Sequence, residues 1–191
     1  MNQRTTQPRT ETIVHLIRHG EVHNPEGILY GRRDGFHLSA RGRAMAQRVA
    51  DTMAERDITL LAASPLERAQ ETARPLAEAT GLEVRSDPRI IESSNRFEGR
   101  SFASPLRTLA SPSALIHLWN PFRPSWGEPY QQVQARMMAA VLDAREAAHG
   151  HEAVLVSHQL PIWMTRLSAE NRSVLHNPRN RECTLCSITS F

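Results

Sequence analysis

The sequence predicts an α/β protein: a three-layer sandwich with a mostly parallel central sheet, helices on both faces and a small irregular, partly helical cap insertion. Three observations predict it. Four apolar runs have strand length, at residues 12–17, 60–63, 153–156 and 184–189. Helical patterns lie between the first three runs, and strand–helix alternation is the mark of a parallel sheet packed between helices. The first three runs are also nearly continuous rather than alternating, as strands covered on both faces must be.

The elements follow in order. Residues 1–10 are polar and are expected as a disordered tail; residues 11–191 then form one domain. After the first run, residues 38 to about 56 carry Met45, Val49 and Met53 at one per turn, a helix pattern. The second run leads into a helix over 65 to about 80. Ser64 with Glu67 three residues later reads as a capping box, and Pro65 suits the first helical position. Residues 97–130 differ in texture, holding six of the ten aromatics and five of the twelve prolines, and are expected as a cap insertion that either shapes a substrate pocket or packs on the core without ligand contact. Residues 129 to about 149 place Val133, Met137, Val141 and Ala144 on one face, with Gly150 as the stop. The last run holds Cys183 and Cys186; on a strand, residues three apart face opposite ways, so reduced, packed thiols are expected.

Composition excludes several chemistries. All 23 basic residues are arginine, so no Walker-type, Schiff-base or general-base lysine exists. Every side-chain cation apart from histidine is a fork suited to phosphate or carboxylate, and none will deprotonate. The net charge is only +3 and the arginines are scattered, so no nucleic-acid footprint is expected. Nothing reads as a membrane span or signal peptide, which makes a cytoplasmic protein with no membrane partner the expectation. The two cysteines lack a second pair to complete a zinc site. The oligomeric state is left open.

Each of the first three apolar runs ends in polar chemistry: Arg18 and His19, then Ser64 to Arg68, then Ser157 and His158. If the strands are parallel neighbours, these groups meet in the crevice beyond their carboxyl ends. Arg68 in the first turn of its helix opposes the helix dipole, a placement that makes sense beside a bound anion. Two histidines and two arginines suit phosphoryl transfer: guanidinium forks match phosphoryl oxygens, and a neutral imidazole attacks phosphorus. Glu92 is the candidate proton donor, since burial can raise a carboxyl pKa, with Glu98 as its rival beside Gly99.

The motif Arg18-His19-Gly20 resembles the R-H-G signature of the histidine phosphatase superfamily, also called phosphoglycerate mutase-like. Residues 64–73 (S-P-L-E-R-A-Q-E-T-A) are similar to its second signature, and Ser157-His158 to its late strand end. Gly127-Glu128 resembles its G-E-S element, with Pro129 in place of serine. These matches run in the family's order over residues 12–158. The resemblance implies a phosphorylated His19, a phosphate pocket of Arg18, Arg68 and His158, Glu92 as acid, and no metal or cofactor. It also implies Asn24 as a further phosphate contact, although Asn24 lies one residue closer to His19 than the family pattern has it. Gln159 and Arg32 are added as candidate substrate contacts. The stretch after Glu92 is one residue short of the family's and lacks its Asp-Phe-Gly, and His158 is followed by Gln159-Leu160-Pro161 rather than glycine.

Other conspicuous residues read as structural. His15 is expected as a satisfied core histidine, Trp163 and Met164 as packing, and His149 and His151 as polar groups at a helix end. His19 and His23 are four apart but lie in a turn, so a helical zinc pair is not expected. The expected activity is hydrolysis of a small phosphorylated metabolite. A mutase is the first alternative, less suited because the short insertion must cage the intermediate from water. A phosphoprotein phosphatase is disfavoured by the aromatic insertion, and a non-catalytic phosphate-binding module by the intact His19, Arg18, Arg68 and His158.

Overall fold

The computed structural model describes residues 11–100, 127–174 and 181–191. The expected tail, 1–10, and the bulk of the expected cap insertion, 101–126, lie outside the described residues. Strands β1 (Ile13–Arg18), β2 (Ile58–Ala63), β3 (Arg85–Ser86), β4 (Glu152–Ser157) and β5 (Ile188–Ser190) form one sheet in the order β3-β2-β4-β1-β5. The first four are parallel, and β5 closes the outer edge of β1 antiparallel. Helices α1 (Ala40–Met53) and α2 (Glu67–Thr80) cover one face; α3 (Tyr130–Ala147) and α4 (Gln159–Ala169) cover the other. A 3-10 turn at Pro88–Ile90 follows β3.

The apolar runs are continuous because alternate residues feed two cores. Val14 and Leu16 of β1, with Ala153 and Leu155 of β4, pack under Val133, Met137, Ile162 and Met164. Ile17, Val154 and Val156 pack instead under Val49, Met53, Ala73 and Leu76. Burying each such large side chain stabilises the fold by about 1.5–3 kcal/mol before entropy is charged against it. Trp163 and Met164 are buried packing residues, as expected, and so is His15. His15 sits 2.9 Å from Glu152 and 2.8 Å from the Ser190 hydroxyl, while Arg56 grips the same carboxylate.

Register aligns the strand ends. Arg18 of β1 is level with Ser157 of β4, and Ala63 of β2 with Val156. The next residues along each strand, His19, His158 and Ser64, therefore emerge side by side. From β1 the chain departs toward α1 and from β4 toward α4, on opposite faces, which opens a crevice at their carboxyl ends.

The loop after β1 is pinned to α1 by a backbone approach that only glycine permits. A Cβ on Gly42 would lie 2.0 Å from the Glu21 carbonyl, and one on Gly20 would lie 2.7 Å from the Gly42 carbonyl. Ser39 caps α1 by accepting from the Gly42 amide and donates its hydroxyl to Glu21. A Gly42→Ala protein is expected to lose about 1–3 kcal/mol, the usual cost of forcing atoms into a packed site. Urea unfolding followed by circular dichroism checks this, and an unchanged midpoint would show that the loop yields freely.

Two local expectations are corrected. Ser64 and Glu67 do not form a capping box: α2 begins after Leu66 with no side-chain cap. The Ser64 hydroxyl is taken by His158, 2.8 Å away, and one oxygen of Glu67 accepts from the Gly35 amide. The cysteines do not lie on a strand. Residues 183–186 turn around the end of β1, with Cys186 at φ 54°, and β5 begins only at Ile188. The turn forms because Arg18 holds it at both ends: its guanidinium donates to the Cys183 carbonyl (2.7 Å), and its own carbonyl accepts from the Cys186 amide (3.1 Å). Both thiols are free.

Candidate active site

A cavity of about 330 Å³ opens at the carboxyl ends of β1 and β4. Its wall includes Arg18, His19, Tyr30, Glu92, Glu128, Tyr130, Gln159 and Arg181. Most of its lining residues are polar or charged, although the strands beneath are buried and apolar.

His19 is buried at the tip of β1, its amide held by the Ser157 carbonyl. Its Nδ1 lies 2.8 Å from the Gly20 carbonyl. A carbonyl only accepts, so Nδ1 carries the proton and Nε2 keeps its lone pair. Gly20 is fixed in turn by Thr72, whose hydroxyl accepts the Gly20 amide and donates to the Arg68 carbonyl. One hydroxyl thus ties the loop of the first histidine to the helix of the second arginine. Burial pushes the His19 pKa down to about 3, with the Arg68 and Arg18 cations acting the same way against the Gly20 hydrogen bond.

The His158 ring lies 5.1 Å from that of His19. It too is buried, and burial together with His19 and the arginines holds its pKa well below the ordinary value. Both imidazoles are neutral at physiological pH. The Ser64 hydroxyl, which accepts weakly from the Leu66 amide (3.4 Å), lies 2.8 Å from His158 Nε2. His158 Nδ1 has no hydrogen-bond partner among the described residues.

Arg68 is 0% exposed, an unusual state for a guanidinium. It donates to the Gly31 carbonyl and stacks over Tyr30, 4.7 Å from the ring centre. Gly31 has φ 45° and passes so close to Glu98 that a Cβ would overlap the carboxylate, which leaves its carbonyl turned to Arg68. Buried Arg68 Nε and Nη1, Arg18 Nε and His158 Nδ1 have no hydrogen-bond partner among the described residues. Burying such donors is costly unless an acceptor serves them. Three unserved guanidinium donors and a second imidazole beside His19 are a ready-made oxyanion receptor.

Glu92 lies on the cavity wall after the 3-10 turn, accepting from the Ser93 amide at 2.8 Å. Burial raises its pKa above the usual carboxylate range, against the opposing pull of that hydrogen bond and of Arg68, Arg181 and Arg18. Glu98 instead accepts from the Asn95 amide and is not among the residues lining the cavity.

The structure thus brings together His19, Arg18, Arg68, His158, Glu92 and Gln159. Asn24 and Arg32 are placed differently. Both amide atoms of Asn24 are engaged by the Ile28 backbone, closing a tight loop. Arg32 donates to the Glu92 carbonyl (2.6 Å) and to Glu128 (2.7 Å), so it braces the segment carrying Glu92. The sequence reading missed Tyr30, Arg136 and Arg181 and gave Ser64 and Glu128 no site role. Glu128 joins Arg32 and Arg136, and Arg136 also donates to the Arg89 carbonyl, which locks α3 to the segment carrying Glu92. The G-E dipeptide was the one available signal; Arg181 and Tyr30 carried none. Among the described residues, no group of three or more His, Cys, Asp or Glu converges to hold a metal, and no helix is long and apolar enough to cross a membrane.

Fold and site together define an α/β protein whose strand-end crevice presents two neutral imidazoles and buried guanidinium groups to an oxyanion. The model of the histidine phosphatase superfamily (branch 1) matches residues 14–191, and the chain belongs to that superfamily. Its relatives include an uncharacterized protein of Mycobacterium tuberculosis, 55% identical over 181 residues, covering 95% of this chain and 90% of that one. A probable phosphoglycerate mutase of an Enterobacter species is 32% identical over 152 residues, covering 78% and 70%. Among solved structures, mycobacterial glucosyl-3-phosphoglycerate phosphatase in complex with VO3 superposes with a TM-score of 0.75 at 29% identity, covering 93% of this chain and 91% of that one.

Proposed function

We propose that the protein is a metal-independent phosphomonoester hydrolase that acts on a small phosphorylated metabolite through a phosphohistidine. One observation carries this reading: His19, with its Nδ1 proton committed to Gly20, keeps a nucleophilic Nε2 beside three buried guanidinium donors and the His158 ring nitrogen, none of which has a partner among the described residues. Arg18, Arg68 and His158 bind the phosphoryl oxygens and spread the charge of the transition state. His19 Nε2 attacks phosphorus, and the P–O bond to the leaving group breaks. Glu92, protonated, gives that oxygen its proton. The Glu92 carboxylate then takes a proton from water, whose oxygen attacks phosphorus. The P–N electron pair returns to Nε2, and inorganic phosphate departs.

The cations that neutralise the phosphate are all arginine, which stays charged throughout. Release of phosphate from 4-nitrophenyl phosphate is expected to persist in excess chelator. Quenching during turnover of a radiolabelled phosphomonoester should leave label on the protein that is stable to alkali and lost in acid, as a phosphoramidate is. A requirement for added divalent metal, or label stable to acid, would remove the reading. The Enterobacter relative's name supports a mutase as the second reading. The same phosphoenzyme would then return its phosphoryl group to the substrate, and isomerisation would outrun hydrolysis in the same assay.

A further inference from the structure

A second cluster of reactive side chains lies on the sheet, apart from the strand-end crevice. Its centre is His15, four residues before His19 and about 13 Å away along an extended chain. His15 of β1 and Ser190 of β5 face each other directly across the antiparallel strands. The neighbouring pair, Val14 and Phe191, exchanges both backbone hydrogen bonds (3.0 and 3.1 Å). The His15–Ser190 pair is therefore of the narrow, non-hydrogen-bonded kind, in which side chains stand closest. The Ser190 hydroxyl lies 2.8 Å from His15 Nδ1, and His15 Nε2 lies 2.9 Å from Glu152. Arg56, just past the end of α1, grips the same carboxylate through Nε and Nη2 (2.6 and 3.0 Å).

Burial opposes ionisation of Glu152, but the hydrogen bonds from Arg56 and His15 prevail and hold its pKa below the ordinary carboxylate range. An ionised carboxylate only accepts, so His15 Nε2 carries a proton. In the neutral ring Nδ1 then holds the lone pair, and the Ser190 hydroxyl donates to it. A hydroxyl bonded to a base that a third group orients is the arrangement of an activated nucleophile. Exposure follows the same order. His15 and Glu152 are buried, whereas Ser190 is open to a reactant. A cavity of about 180 Å³ lies beside them, its wall including Met53, Ile188 and Arg56. Glu152 leaves Nη1 of Arg56 untaken, and a cation on that wall suits the oxyanion formed when a hydroxyl adds to an acyl carbon.

We propose that Ser190 is a second nucleophile of this protein, activated by His15 and Glu152, and that it takes the acyl group of small activated esters. The Ser190 oxygen bonds the acyl carbon as its proton passes to His15 Nδ1. The bond from that carbon to the leaving group then breaks, and its electron pair departs with the leaving group. The cavity beside Ser190 limits the acyl group to a few carbons. The phosphate chemistry uses none of these groups, so the inference stands or falls independently of it.

Two measurements on the full chain test this. In the first, the protein is treated with methanesulfonyl fluoride, which forms a stable sulfonate ester with an activated serine, and is then cleaved after arginine. Residues 182–191 emerge as one peptide that holds both Ser187 and Ser190. Ser187 is the internal reference, since its hydroxyl bonds the Cys183 sulfur (3.7 Å) rather than an imidazole. Ser190 is expected to react at least about 100-fold faster than Ser187, the scale of general-base assistance. In His15→Gln, which keeps an N–H for Glu152, the two rates should come within about threefold of each other. In the second, release of 4-nitrophenolate from 4-nitrophenyl acetate is followed in His19→Ala, where the imidazole of the phosphate site is absent. Adding Ser190→Ala is expected to slow that release by about tenfold or more. Equal reaction of the two serines in the wild-type chain would overturn the inference and reduce the trio to a structural tie. So would nitrophenolate release that Ser190→Ala leaves unchanged.

Discussion

Replacing His19 with alanine is expected to lower phosphate release from any phosphomonoester by on the order of 10⁵-fold or more, the scale seen when a covalent nucleophile is deleted. Among the described residues the ring's hydrogen bond is to the carbonyl of the next residue, so no hydrogen bond between elements is lost with it. Far-UV circular dichroism is expected to stay the same. Any residual rate reflects the arginine and His158 receptor positioning the substrate for direct attack by water. The alkali-stable label should vanish together with turnover. Activity within about tenfold of the parent protein would remove His19 from the reaction.

Glu92→Gln is expected to lose about 10²- to 10⁴-fold in kcat/KM with alkyl phosphates, whose alkoxide needs a proton. The loss should be small with 4-nitrophenyl phosphate, whose leaving group needs none. The pH profile separates this role from a structural one. Glu92 must be protonated to act, and burial holds its pKa above the ordinary carboxylate range. Activity toward alkyl phosphates is therefore sustained below that raised pKa and lost as pH rises through it. His19 must be neutral to act, and its pKa lies at about 3. Its protonation removes the nucleophile only as pH falls through that value, so His19 imposes no acid limb in the usual assay range. In Glu92→Gln the descending limb should disappear from the kcat/KM profile. Equal losses across leaving groups, or an unchanged alkaline limb, would reject Glu92 as the acid.

The sheet was legible because β1, β2 and β4 are buried on both faces, which makes their apolar runs continuous. Helix ends were read to within a few residues, with Gly150 at φ 78° marking the stop after α3. The reading failed where side chains were diverted by partners distant in sequence. Ser64 has the identity and spacing of a cap, yet a histidine 94 positions away takes its hydroxyl. Residues 184–189 have strand composition, but the Arg18 guanidinium bends their first half into a turn. Glu128 was visible as a motif fragment without its partners, because Arg32 lies 96 residues before it. Arg181 sits in an unremarkable polar stretch, and only the closing of the chain on β1 puts it on the cavity wall. Strand ends therefore announced the imidazoles and guanidinium groups of the site, and loops that carry no periodicity supplied what surrounds them.

The cysteine turn changes how inhibition by sulfur reagents would be interpreted. Burial raises both thiols, Cys186 to about 11, so neither is an activated nucleophile. Yet the Cys183 carbonyl and the Cys186 amide are the clasp that holds Arg18, and Arg181 hangs from the same clasp. An alkyl group forced onto either sulfur would spring that clasp and splay two guanidinium groups out of the cavity. Inactivation by iodoacetamide would then record mechanical damage to this turn, since the proposed reaction never touches sulfur.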